Sequence, residues 1–263
     1  MKISALLTTV NHKKKQPMAI KVCDSIVSTG FVFDEKIISI DHINSDNYDE
    51  HTLYHFKLQG WDIKKSFFGN RIDTLIDLMR YFVNNNTDFI FHAEDDILVN
   101  YLPSRNNIEE LLLLAKNNQA CGQLTLSLGG STFKCEGGDD GDFYDIENEK
   151  IFENEKILIF RRKEENASSF FFELGTMFIR PKIMLMCLEY AKKNFSAMQI
   201  EQAQTRAWFE LNIPLVFYRA TLCKPDVKKY WKNDTWKIDG ECRFITILDP
   251  NQGASLYGGK HSI

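Results

Sequence analysis

The sequence has no Cys-x-x-Cys pair, no apolar run long enough to span a membrane, no large surplus of either charge and no internal repeat. The six cysteines, Cys23, Cys121, Cys135, Cys187, Cys223 and Cys242, are scattered, and several sit in apolar runs. Buried free thiols in a reducing compartment are therefore expected. Nothing reaches the ~18 consecutive apolar residues of a membrane helix. Met1 to Val10 is apolar, but no charged leader precedes it and no small-residue cleavage site follows, so it reads as a first strand and not as a signal peptide. The expectation is a soluble, cytoplasmic chain without an integral membrane segment. A formal net charge of −4 demands no nucleic-acid or anionic-membrane partner. The basic clusters Lys13, Lys14 and Lys15, and Lys228, Lys229, Lys232 and Lys237, read as solvated loop lysines. Finally, Asn11 to Gln16, the loop after the first strand, contains no glycine. That disfavours the Gly-rich phosphate loops of dinucleotide-binding enzymes, P-loop proteins and nucleotidyltransferases.

What is present is a chain of 263 residues, 44% hydrophobic and with 20 phenylalanines, enough for one substantial core. A single domain with elaborations is expected. Ile3 to Val10 is a β-rich run, and Pro17 opens a helical apolar pattern through Ala19, Ile20, Cys23, Ile26 and Val27. A second strand at Lys36 to Ile40 runs into a polar loop from Asp41 to Asn47. Strand, helix and strand in this order predict a parallel sheet whose ligands lie at the strand C-termini. Arg71 to Asn84 carries one apolar stripe of helical period. Further on, helices are predicted from Ile108 to Ala115 (capped by Asn106 or Asn107), from Pro181 to Asn194 and from Gln199 to Leu211, with strands at Lys156 to Phe160 and Ile213 to Tyr218. Asp139 to Glu155 is acidic, and Asp139-Asp140-Gly141-Asp142 within it does not fit the calcium-loop spacing and reads as a mobile acidic loop near the acceptor site.

The sharpest feature is Asp88-Phe89-Ile90-Phe91-His92-Ala93, a short buried strand running straight into Glu94-Asp95-Asp96. Burying carboxylates is costly unless they are paired or hold a cation. Oxygen donors at the mouth of a parallel sheet select a hard cation, Mg²⁺ or Mn²⁺, which can bridge a diphosphate. A solvated acidic turn is the plainer reading, and the apolar residues on both sides weigh against it. His92-Ala93-Glu94 matches the His-x-Glu of zinc deaminases, but the Pro-Cys-x-x-Cys that would complete that zinc site is missing.

In this motif and its context, from Asn86 to Asp96, the chain resembles the GT-A glycosyltransferases, particularly the family 2-like group, with Glu94-Asp95-Asp96 in place of Asp-x-Asp. Leu6 to Asn11, Asp41 in Asp41-His42-Ile43-Asn44-Ser45-Asp46, and Gly69-Asn70-Arg71-Ile72 resemble further family features in the expected order, over roughly residues 3–100. The resemblance implies an α/β GT-A (Rossmann-like) fold: a mixed, mainly parallel sheet flanked by helices. It implies one catalytic domain over 1–263, with a nucleotide-sugar and metal half (1–100) and an acceptor half (101–263). By the same resemblance, Thr8, Thr9, Asn11, Asp41, Asn70, Arg71, Glu94 and Asp95 would bind the sugar nucleotide, with the first acidic role falling on Glu94 or Asp95. Asp96 would ligate Mn²⁺ or Mg²⁺, and His261 resembles a late metal-ligating histidine. Glu201, at the start of a late helix, would be the base of an inverting transfer; an ordinary first-turn glutamate favoured by the helix dipole is the alternative. Arg161, Arg162, Arg180 and Arg219 are candidates for the diphosphate. The implied donor is a UDP-type sugar nucleotide, and the acceptor is a glycan, a protein or a hydroxylated DNA base. The Lys- and Asn-rich composition is what an AT-rich genome gives, large viruses and phages included. Two other functions compete: a nucleotidyltransferase of related topology, and an inactive GT-A-like domain that only binds glycans or partners.

Overall fold

A computed structural model of the chain describes residues 1–12, 15–41, 48–66, 71–95, 97–117, 123–125, 135–137, 141–142, 148–162, 177–198, 200–218, 228–231, 236–239 and 245–247. In chain order the elements are β1 (Ile3–Val10), α1 (Gln16–Ser28), β2 (Glu35–Asp41), α2 (Glu50–Leu58), β3 (Asp62–Ser66), α3 (Arg71–Asn84), β4 (Phe89–Glu94), β5 (Ile97–Val99) and α4 (Arg105–Asn117). Short strands follow, β6 (Gln123–Thr125), β7 (Cys135–Gly137), β8 (Gly141–Asp142), β9 (Asn148–Glu153), β10 (Ile157–Arg162) and β11 (Met177–Ile179). The chain continues through α5 (Pro181–Asn194), α6 (Ile200–Glu210), β12 (Leu215–Tyr218), β13 (Lys228–Trp231), β14 (Trp236–Asp239) and β15 (Ile245–Ile247).

Among the described residues the main sheet has nine strands in the order β3-β2-β1-β4-β11-β6-β12-β10-β9. β1 pairs in parallel with both β2 and β4, and β2 with β3, while β11 is antiparallel to β4 and β6, and β10 to β12 and β9. Only β10 and β11 therefore run against the rest, which makes the sheet mixed and mainly parallel. A second sheet orders β14-β13-β7-β8, and β15 pairs with β5.

Central strands of such a sheet are covered on both faces and carry apolar residues on both. In β1, Ile3, Ala5 and Leu7 face α1 (Ala19, Val22, Cys23), α2 (Phe56) and α4 (Ile108, Leu111), while Leu6 faces α3, α5 and α6. β4 alternates likewise, with Phe89, Phe91 and Ala93 on the first face and Ile90 on the second. Each of the Leu, Ile and Phe side chains contributes about 1.5–3 kcal/mol when fully buried. Chain order explains which helix covers which face. From β1 to β3 the strands add in one direction, with α1 and α2 on one face. α3 then carries the chain back across to β4 on the other side of β1, so it covers the opposite face. The point where strand order reverses, at the C-terminal ends of β1 and β4, is where an open α/β sheet leaves a ligand crevice.

Three details differ from the sequence reading. α2 and β3 lie in a stretch to which the sequence pattern assigns no element: α2 buries just Thr52 and Phe56, and β3 is a lysine-bearing edge strand, so neither shows a strong period. The cap of α4 is Ser104, whose Oγ accepts from the Asn107 N–H at 3.4 Å, because the helix starts a turn earlier than its apolar residues. Gly141–Asp142, at the end of the acidic run read as a loop, is a short strand paired to β7, and Asn148–Glu153 is a strand paired to β10.

Candidate functional site at the ends of β1, β2 and β4

Thr8, Thr9, Asn11, Asp41, Glu94 and Asp95 meet at the C-terminal ends of three adjacent strands, because the register places Val10 beside Asp41 and Thr8 beside Glu94. The two-residue period of the strands sorts them to opposite faces. On the α3 face, the Thr8 hydroxyl lies 3.1 Å from His92 Nε2, and Asp41 accepts from the Thr74 hydroxyl of α3 at 3.3 Å. Glu94 on this face is ion-paired with Arg71, the first residue of α3, and both side chains are 22% exposed. On the α1 face, Asp95 is 1% exposed and pairs at 2.8 Å with Lys15, which is 0% exposed and immediately precedes α1. The Thr9 hydroxyl donates to the other Asp95 oxygen at 2.7 Å and is also bonded to the Tyr48 hydroxyl. Each Asp95 oxygen thus already accepts a hydrogen bond. Asn11 is buried, and its N–H donates to the Asp41 carbonyl at 3.0 Å, tying the ends of β1 and β2 together.

The adjacent acids titrate in opposite directions. Burial opposes charge on Glu94, yet the Arg71 guanidinium, with help from His92 and Lys15, outweighs it and holds the carboxyl below the usual glutamate range. For Asp95, burial dominates and the Glu94 charge adds to it, so the carboxyl is pushed up although Lys15 and Thr9 pull it back. Burial also pushes the Tyr48 phenol up. Such divergence between neighbouring carboxyls is a mark of groups with different tasks.

Lys15 is a correction to the reading of the lysine run as solvated: it is buried among the acids. Neither it nor Tyr48 carries a signal in the sequence, since a basic loop and a polar loop look alike whether or not they fold inward. Among the arginines proposed for the diphosphate, Arg161, Arg162 and Arg180 lie toward the opposite end of the sheet: Arg180 stacks over Phe89, at the start of β4, and β10 runs antiparallel so that its last residues point the same way. Arg71, paired with Glu94, lies at the acidic end. Glu201 is the second residue of α6, in the layer with α3 and α5. Asn70, Asp96, His261 and Arg219 lie outside the described residues.

The parallel β3-β2-β1-β4 half, the antiparallel β11 beside it and the acids at the end of β4 make the mixed, mainly parallel α/β sheet that the resemblance in sequence implies. No protein-family model matches the sequence, and no curated protein matches it significantly. Solved structures overlap it at low identity. S. aureus TarS 1-349 is 9% identical over 96% of this chain and 62% of its own, with a TM-score of 0.45. Glucosyl-3-phosphoglycerate synthase from Mycobacterium tuberculosis, in complex with Mn²⁺, UDP-glucose and phosphoglyceric acid, is 16% identical over 53% of this chain and 45% of its own, with a TM-score of 0.32. A Desulfovibrio desulfuricans G20 chain described as a nucleotide-diphospho-sugar transferase is 7% identical over 80% of this chain and 77% of its own, with a TM-score of 0.41. The chain spans less than two thirds of the TarS fragment. Among the described residues, no helix is long and apolar enough to cross a membrane.

Proposed function

We propose that this chain is a metal-dependent glycosyltransferase that moves a sugar from a UDP-type nucleotide to an acceptor hydroxyl, with inversion at the anomeric carbon. The observation that carries the reading is the convergence of Thr8, Asp41, Arg71 and Glu94 at the strand-order reversal, on the less enclosed face of the sheet. In this reading Thr8, Asn11, Asp41 and Asn70 hold base and ribose, and Arg71 brings a forked cationic donor to the diphosphate. Thr9 and Asp95, tied to Lys15 and Tyr48, anchor the end of β4 beside Glu94.

The donor chemistry fits a hard divalent cation. Glu94 is an ionised, partly exposed carboxylate at the crevice, one residue removed from a further acid, Asp96. Asp96 and His261 are the proposed protein ligands. Bound Mn²⁺ or Mg²⁺ would neutralise the charge that develops on the departing diphosphate. The rest of the chemistry falls to the chain: Glu201 takes the proton of the acceptor hydroxyl, and a carboxylate in a helix's first turn stays ionised for that task. The acceptor half provides the site for a glycan, a protein or a hydroxylated DNA base.

Thermal unfolding with UDP, with and without Mn²⁺, tests the class. Binding at 100 times Kd stabilises the fold by about 2.7 kcal/mol, and this gain should need the metal and vanish in Asp96→Ala. Glu201→Gln should keep donor binding and lose transfer. A non-catalytic binding module would leave both variants indistinguishable from wild type, and UDP would stabilise none of them.

A further inference from the structure

Away from the strand ends, three metal-ligating side chains come together among the described residues. Cys23 and Asp24 are neighbours on α1, and His55 meets them from α2. The Cys23 sulfur, an Asp24 carboxylate oxygen and a His55 ring nitrogen all lie within 4.8 Å of one another. His55 Nε2 and Asp24 Oδ1 are only 2.7 Å apart. We infer that Cys23, Asp24 and His55 form a three-ligand site for a borderline transition-metal cation, zinc in preference to magnesium or calcium, which staples α1 to α2.

The ligand set decides the metal. One sulfur, one imidazole and one carboxylate suit zinc, whereas the hard cations take oxygen throughout. Tetrahedral ligands at the usual zinc–sulfur and zinc–nitrogen lengths sit roughly 3.5 Å apart. Binding would draw the ligand atoms, now within 4.8 Å of one another, to that spacing and open the 2.7 Å His55–Asp24 pair. The layout gives access. Cys23 is fully buried and forms the floor, while Asp24 and His55, 43% and 32% exposed, form the mouth and leave a fourth position for water.

The protons balance. On binding, the Cys23 thiol releases its proton to solvent. His55 gives up the Nε2 proton that it shares with Asp24, the remaining ring proton sitting on Nδ1, and presents Nε2 to the cation, while Asp24 exchanges its hydrogen bond with His55 for a metal bond. A nucleophilic role for the cysteine is the weaker reading, because burial pushes the unligated thiol up to about 12 and keeps it protonated. The cluster sits at the contact between two helices and owes nothing to the sugar-nucleotide reading.

The test is titration of the full, chelator-stripped chain with Co²⁺ and then Zn²⁺ against a chromophoric chelator. One equivalent of Co²⁺ should give a sulfur-to-cobalt charge-transfer band that Cys23→Ser lacks and Zn²⁺ displaces. His55→Ala and Asp24→Asn should weaken Zn²⁺ binding by more than about 100-fold, beyond the ~10–100-fold of outer-shell changes. Asp96→Ala should leave it unchanged, which separates this site from the acids after β4. A cobalt complex without the thiolate band overturns the inference. So does a Zn²⁺ affinity that His55→Ala leaves intact, or one that Asp96→Ala abolishes.

Discussion

Two regions of the sheet end at the same pair of strands and are built in opposite ways. On the α1 side, Asp95 and Lys15 are sealed from solvent with Thr9 and Tyr48 around them. On the α3 side, the very next acid in the sequence, Glu94, forms its ion pair with Arg71 while both remain partly exposed. A single step along a strand separates them, and strand alternation sends one carboxylate into the fold and the other to the crevice. Adjacent acids in a motif therefore meet different surroundings: Asp95 is sealed with both oxygens bonded, and Glu94 is partly exposed at the crevice.

The largest effect should come from splitting the sealed pair. Lys15→Met or Asp95→Asn alone leaves a buried polar or charged group uncompensated and should cost about 3–5 kcal/mol in chemical denaturation, whereas the apolar double replacement Lys15→Met with Asp95→Leu should regain most of that loss. Singles that cost no more than a surface ion pair would erase the distinction between the two sides. Next, Thr9→Val removes a donor to Asp95 and a partner of Tyr48, and should cost about 1–3 kcal/mol while leaving the rest of the network in place.

The open pair should behave otherwise. Arg71→Ala should change stability by no more than about 1 kcal/mol, yet weaken UDP binding in Mn²⁺ by more than about tenfold, the loss expected of one charge-assisted hydrogen bond. The acids also carry opposite pH signatures. Glu94 binds its proton more weakly folded than unfolded, so its contribution is present above its unfolded value near ~4.3 and disappears as pH falls through the lower folded value. The stability gap between wild type and Glu94→Gln should therefore close on acidification. Asp95 has the reverse sign: its contribution is present below its unfolded value and is lost as pH rises through the raised folded one. The smallest effect belongs to Arg80–Glu189, 58% and 47% exposed, where Arg80→Ala should change stability by less than about 1 kcal/mol.

The first half of the fold is legible because its signals are local. Arg71–Asn84 is the helix its apolar stripe describes, and the buried run before Glu94 is the strand β4. The position of the acids at a strand mouth followed from that run. Their partners did not: Lys15 and Asp95 are 80 residues apart, and nothing in a lysine-rich loop tells which ammonium turns inward. The second half was less readable for a related reason. β11 enters the sheet between β4 and β6, and β12 lies between β6 and β10, so neighbours in space are distant in sequence and the strands are short. Edge strand β3 and helix α2 escaped notice because each buries too little to show a period.

Calorimetric titration of UDP into the wild-type chain and into Arg71→Ala, each with and without Mn²⁺, puts the most direct question to the open side of the sheet. Metal-dependent binding that Arg71→Ala weakens more than tenfold, without loss of the fold, is the outcome expected if the crevice beside Glu94 receives the diphosphate. Equal heats in all four titrations, or no heat in any, would contradict it.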